Sequence, residues 1–148
     1  MLFLLTKRIQ VEGASIIDAP FFFKLMNSPN WIEFIGDRGI TSEELAANYI
    51  KNNIVKSYDE HGYGLYKMSL RKNEKPIGIC GFLKRDYLDH ADIGFAILPK
   101  YEGKGYVFEA AKKLMQYGID TLELNPILAI TLSKNVRSQR LLHKIGLK

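Results

Sequence analysis

The stretch from Ala91 to Val107 limits what this chain can fold into more than any other. Ile93, Phe95 and Ile97 recur at the two-residue period of a β-strand, and Pro99 ends the run. Gly103 and Gly105 then lead into Val107, Ala111, Leu114, Met115 and Gly118, which recur at helical offsets. A strand that passes through a glycine loop directly into an amphipathic helix belongs in a layered α/β domain. The first amides of such a helix have no intrahelical acceptors and sit at the positive end of its dipole. Glycines let a ligand's phosphates come close to them.

The other periodicities agree with that class. Met1 to Glu12 reads as one opening strand ending at Gly13, interrupted by the polar Thr6-Lys7-Arg8. Asp18-Ala19-Pro20 predicts a helix start, with a capping carboxylate and proline in the first turn, and Asn27-Ser28-Pro29 predicts its end. Thr41 and Glu44 have capping-box spacing ahead of a helix with Ala46, Ile50 and Ile54 on one side. Tyr66, Met68 and Leu70 alternate with Lys67, Ser69 and Arg71, predicting one buried and one wet strand face. After a turn at Asn73-Glu74-Lys75, Ile77, Ile79, Gly81 and Leu83 form the return strand. Ile127 to Thr131 reads as a short strand, and Asn135 opens a last helix with Leu141, Leu142 and Ile145 inside and Gly146 as its C′ residue. The predicted order is strand, two helices, three strands, helix, strand, helix. That is one α/β domain over residues 1–148, a mixed central sheet flanked by helices.

A chain of 148 residues with 47% apolar side chains has material for one core. Met1 to Leu5 is too short for a signal segment and nothing later reaches spanning length, so no membrane partner is expected and the cytoplasm is the expected compartment. The formal charge of +5 is spread along the chain without a basic block. It suggests mild attraction for anionic ligands, and no nucleic-acid partner. No metal site is expected. Cys80, the single cysteine, lies in an apolar run and reads as a core thiol.

Two phosphate-binding loops compete with an ordinary glycine-rich helix opening as readings of this segment. A Walker A loop needs four residues between its glycines and then Lys-Ser/Thr, which this sequence lacks. A dinucleotide fingerprint needs a third glycine where Phe108 stands.

Pro99-Lys100-Tyr101-Glu102-Gly103-Lys104-Gly105-Tyr106 followed by Glu109-Ala110 resembles the acetyl-CoA loop of the GNAT superfamily, with Lys100 in the place usually held by Arg or Gln. Asn135-x-x-Ser138-x-x-Leu141-Leu142-x-Lys144-Ile145-Gly146-Leu147 resembles the second cofactor motif of the branch that includes the ribosomal-protein N-terminal (alanine) acetyltransferases. Asp92-Ile93-Gly94-Phe95, Thr6-Lys7-Arg8 and Gly78-Ile79-Cys80-Gly81 match three strands of that branch, so the likeness runs nearly end to end.

The resemblance implies an N-acetyltransferase that binds acetyl-CoA where the central strands splay apart. Backbone groups of Phe95, Ala96 and Ile97 would pair with the pantetheine arm, amides of Gly103, Lys104, Gly105 and Tyr106 would hold the pyrophosphate, and Asn135 would reach the pantetheine or simply cap its helix. Asp92 is the first candidate base and His90 the second, read as sharing one strand face two residues apart; as exposed residues both could equally be solvated. Leu142 stands where many members carry a tyrosine to protonate the leaving thiolate, and the resemblance to this branch implies its motif serine, Ser138, as the candidate acid. Its other reading is a small residue that lets the helix pack closely. The acceptor implied is a protein N-terminal α-amine, with a small amine such as a polyamine or aminoglycoside second. A non-catalytic acyl-CoA-binding module and a nucleotide-binding domain are the rivals. The family normally continues into two further strands beyond Gly146-Leu147-Lys148; their lack would leave a sheet edge open to a homodimer.

Overall fold

The computed structural model describes residues 3–86, 88–129 and 135–146. The polar break at Thr6-Lys7-Arg8 reverses the chain. β1 (Phe3–Leu5) and β2 (Ile9–Gly13) are an antiparallel hairpin with Leu4 opposite Val11. Two strands therefore stand where one was expected, because Thr6 closes the turn. Its N–H donates to the Ile9 carbonyl at 2.8 Å, and its hydroxyl oxygen accepts from the Ile9 N–H at 3.1 Å.

The sheet then meanders. β2 pairs antiparallel with β3 (Leu65–Leu70), β3 with β4 (Pro76–Leu83), and β4 with β5 (Asp92–Ile97). β6 (Leu128–Ala129) joins parallel to β5, completing the order β1-β2-β3-β4-β5-β6. A parallel pair requires a crossover, and α5 (Tyr106–Asp120) provides it. The strand read over 127–131 is seen at Leu128 and Ala129; Ile130 and Thr131 lie outside the described residues.

Both faces of the sheet are covered. α5 packs on β2, β4 and β5, so closely that a Cβ on Gly118 would stand 2.7 Å from Cζ of Phe82. Lys67 projects from the other face, where its ammonium meets Asp18 at 2.8 Å and Glu12 at 3.6 Å. The wet face expected of β3 is consequently absent. Ser69 is 1% exposed, and a strand sandwiched between helices loses its polar alternation. Asp18 also departs from its expected role as cap: it accepts from the Ser15 N–H at 2.9 Å and holds Lys67.

α1 (Ala19–Met26) ends where expected, but Pro29 opens a further helix, α2 (Pro29–Phe34). Proline suits a first helical turn as well as it ends one, so Pro29 does both. α3 (Glu43–Tyr49) is capped by Ser42, whose hydroxyl accepts from the Leu45 N–H at 3.1 Å, so the cap falls one residue after Thr41. α3 runs through a wide π-type turn, Ile50–Val55, into α4 (Lys56–His61). Ala46, Ile50, Ile54 and Tyr58 are all buried. In a regular α-helix this four-residue spacing drifts by about 40° per step, and the wide turn brings the stripe back onto the sheet. α6 (Val136–Lys144) is the last helix.

Candidate functional site

At its C-terminal end β5 passes through a 3₁₀ turn, Pro99–Tyr101, into the glycine loop. Gly103 and Gly105 have φ of +74° and +80°, a region that costs an L-residue about 1 kcal/mol or more. A Cβ on Gly103 would meet no atom within 4 Å, so glycine stands there for its backbone and leaves open space. Gly105 is the N-cap of α5 and brings no side chain to cap it. Glu109 N–H reaches back to the Gly105 carbonyl at 3.1 Å, and the amides of Tyr106, Val107 and Phe108 have no acceptor inside the helix.

Two helices converge on this loop through Glu102. Asn30 of α2 donates to its carboxylate, and Arg137 of α6 pairs with it at 2.6 Å. That contact brings the first turn of α6, with Asn135 and Ser138, beside the loop. Asn135 Oδ1 accepts from the Ser138 N–H at 3.2 Å, an ordinary N-cap. Leu142, in the place of the tyrosine, is buried in the core.

The hairpin turn reaches the same loop from the other side. Glu109 lies in the first turns of α5. Its carboxylate accepts from the Thr6 hydroxyl, from the Arg8 N–H at 2.8 Å and from Arg8 Nε at 2.8 Å. Burial pushes its pKa up, but these hydrogen bonds and the Arg8 charge outweigh burial and hold it below the ordinary carboxylate value. Arg8 Nη1 also donates to the Lys104 carbonyl at 3.1 Å, and its guanidinium lies 4.6 Å from the centre of the Tyr106 ring. Arg8 and Glu109 are 101 positions apart, and no local pattern joins them.

Asp92 occupies the opposite end of β5, roughly 17 Å from Ile97 at the usual strand rise. It is 1% exposed, not a solvated surface group. Arg85, from the loop after β4, donates through Nε to both carboxylate oxygens, at 3.1 and 3.2 Å. Burial pushes the Asp92 pKa up, and the adjacent Arg85 opposes this without cancelling it. His90 does not share its strand face. It sits in an exposed bend before β5, because the strand begins only at Asp92. The structure thus gathers Gly103, Lys104, Gly105, Tyr106, Asn135 and Ser138 around the end of β5, with Asp92 at its start. Among the described residues β6 pairs with β5 at Asp92 and Ile93 only, before Phe95, Ala96 and Ile97. Cys80 is fully buried with its thiol pushed up to about 12, which keeps it protonated and unreactive.

A family profile described as "Acetyltransferase (GNAT) domain" matches residues 8–148. The chain belongs to the GNAT acetyltransferases. It is similar to the uncharacterized N-acetyltransferase YnaD of Bacillus subtilis, 27% identical over 143 residues that cover 97% of this chain and 81% of that protein. The fold is shared with the ribosomal-protein-S5-alanine acetyltransferase of Vibrio fischeri (TM-score 0.83, 16% identity, 99% of this chain and 82% of that one). It is shared also with the microcin C7 self immunity acetyltransferase MccE, solved in complex with acetyl-CoA and AMP (TM-score 0.80, 19% identity, 95% and 79%). As a GNAT member this chain is an acetyl-CoA-dependent N-acetyltransferase, built on one α/β domain with a mixed six-stranded sheet. Among the described residues no helix is long and apolar enough to cross a membrane.

Proposed function

We propose that this GNAT enzyme transfers the acetyl group to a protein N-terminal α-amine. The observation that carries the reading is the layout of β5: a buried carboxylate at one end and an open helix N-terminus behind two left-handed glycines at the other. A pantetheine arm spans a comparable length, so the acetyl group would lie near Asp92 when the pyrophosphate is at the loop.

In this reading the amides of Gly103, Lys104, Gly105 and Tyr106 hold the pyrophosphate. The open space over Gly103 and the uncapped first turn of α5 both suit it. Backbone groups of Phe95, Ala96 and Ile97 pair with the pantetheine as an added strand would. Asn135 caps α6 through Oδ1 and turns its Nδ2 donor to the same arm. Asp92 takes the proton of the acceptor amine, directly or through water, while Arg85 fixes the carboxylate and offsets part of the effect of its burial. The amine nitrogen bonds to the acetyl carbon, the carbon–sulfur bond breaks, and the proton that the nitrogen sheds passes through the Ser138 hydroxyl to the departing thiolate beside the positive end of α6.

The choice of acceptor follows from the protonation demand. An ammonium has no lone pair. Near neutral pH about 14% of an α-amine is neutral, against about 0.04% of a lysine amine, from reference pKa values of ~7.8 and ~10.4. A single half-compensated carboxylate suits the first acceptor far better. The ribosomal-protein-S5-alanine acetyltransferase that shares the fold points the same way.

The test is an acetylation panel: a lysine-free peptide with a free N-terminus, an N-formylated peptide with one lysine, a polyamine and an aminoglycoside. The free N-terminus should be turned over fastest near neutral pH. Acetylation of the polyamine or aminoglycoside with no turnover of free N-termini would overturn the acceptor assignment.

A further inference from the structure

We propose that Arg8 is a positioning residue for the coenzyme loop, aiming the Gly105 amide and neutralising the carboxylate beside it. The inference rests on the reading that Gly103 to Tyr106 hold the pyrophosphate, and adds what keeps their amides turned toward it.

The argument begins at the Lys104 carbonyl, which accepts from Arg8 Nη1 at 3.1 Å. A trans peptide group is planar, so the Lys104 carbonyl and the Gly105 N–H point in opposite directions. Holding the carbonyl against the hairpin therefore turns the Gly105 N–H away from it. Gly105 has no Cβ to restrict this peptide plane, and on its own the plane could rotate. The hydrogen bond selects one orientation.

The guanidinium can do this because it is itself fixed. Nε is bound to Glu109 Oε1 at 2.8 Å, and its face rests on Tyr106. Glu109 is in turn held by the Thr6 hydroxyl and the Arg8 N–H, so the anchor is the hairpin turn. A Cβ on Gly105 would come within 3.4 Å of Arg8 Nη2, which places the second guanidinium nitrogen against the loop as well.

Charge gives Arg8 a second part. Glu109 is 19% exposed and lies one turn from amides that would receive a pyrophosphate. An unpaired carboxylate there would repel the ligand, and Arg8 cancels it. The guanidinium carries its donors on separate nitrogens of a rigid fork, so it holds Glu109 through Nε and the Lys104 carbonyl through Nη1 in one fixed geometry, whereas a lysine offers its three donors from a single freely rotating centre at the end of a flexible stem.

Acetyl-CoA affinity by calorimetry, with steady-state kinetics, tests this on the wild type, Arg8→Lys, Arg8→Ala and the loop control Gly105→Val. Arg8→Lys should fold normally, bind acetyl-CoA about tenfold more weakly, or ~1.4 kcal/mol, and keep kcat at saturating acetyl-CoA. Arg8→Ala should lose more. Wild-type affinity in Arg8→Lys and Arg8→Ala, with weakened binding in Gly105→Val, would overturn the inference and leave the loop assignment standing. Wild-type affinity in Gly105→Val as well would overturn the loop assignment and the inference with it. If Arg8→Ala does not fold, Arg8→Lys decides. A fall in kcat at unchanged affinity would also refute the positioning role.

Discussion

Replacing Asp92 by Asn separates a base from an anchor. The two side chains have nearly the same shape, so packing around a residue 1% exposed is preserved. Arg85 Nε, at 3.1 and 3.2 Å, keeps an acceptor in the Asn carbonyl oxygen. Exchanging a charge-assisted hydrogen bond for a neutral one costs about 1 kcal/mol. Against that, burial raises the Asp92 pKa more than Arg85 lowers it, so the ionised form is disfavoured in the fold. Asn escapes that penalty. The two effects oppose each other, and the thermal midpoint should move by no more than about 2–4 °C. A general base contributes roughly 10²–10⁴ in rate, so kcat on an α-amine peptide should fall at least about 100-fold near neutral pH with acetyl-CoA affinity unchanged. The deficit should narrow as pH rises past ~8, where the α-amine has already lost its proton. The assay is release of free CoA thiol at saturating acetyl-CoA, followed across pH. A folded Asp92→Asn enzyme with kcat within about threefold of wild type would refute the reasoning, since a base cannot be dispensable. Asp92 would then be an ion-pair anchor for Arg85.

Three further outcomes follow from the packing and the charges. Gly118→Ala should lower the thermal midpoint: alanine adds about 1 kcal/mol of helix propensity, but its Cβ lands 2.7 Å from Phe82 Cζ, and overpacking costs about 1–3 kcal/mol. The Phe82 ring is fully buried and edge-on to Tyr63 at 6.1 Å, so it has little room to retreat, and a raised midpoint would mean α5 lifts freely. Glu109 has a lowered pKa in the fold, so its contribution to stability is present above the ordinary glutamate range and is lost as pH falls through the folded value. Acid titration monitored by circular dichroism should show Glu109→Gln losing less stability than wild type over that range; equal losses would show that the carboxylate is not held by Thr6 and Arg8. Cys80, with a thiol pushed up to about 12, should resist a thiol reagent in the native enzyme and react only after denaturation, whereas rapid native labelling would contradict its burial.

The sequence was most informative where one side chain, or one short run, decides the structure. Gly103 and Gly105 were legible because left-handed backbone demands glycine, and α5 because its apolar stripe is long. The α/β class followed from the alternation of strand and helix periods. Short features misled for physical reasons. Pro29 both stops α1 and opens α2, and the hairpin at Lys7-Arg8 carries no glycine or proline to mark it. The burial of Ser69 and the half-burial of Lys67 depend on helices distant in sequence. At the site, Asp92 was visible as a residue, but its enclosure and its pairing with Arg85 were not. Glu109 was noticed within the loop motif, and its partners Thr6 and Arg8 came from a turn about a hundred positions earlier.

That separation bears on how the enzyme matures. Thr6 and Arg8 leave the ribosome 96 to 103 positions before Lys104 and Glu109. Ordering the glycine loop thus waits on a long-range closure, the slow kind of event in a folding reaction. A nascent chain can complete its inner strands and still have no working coenzyme cradle until the Thr6–Arg8 turn docks. The cradle then melts with the whole domain rather than ahead of it, and hydrogen exchange at the hydrogen-bonded amides of α5, from Glu109 onward, should proceed near the rate of global unfolding.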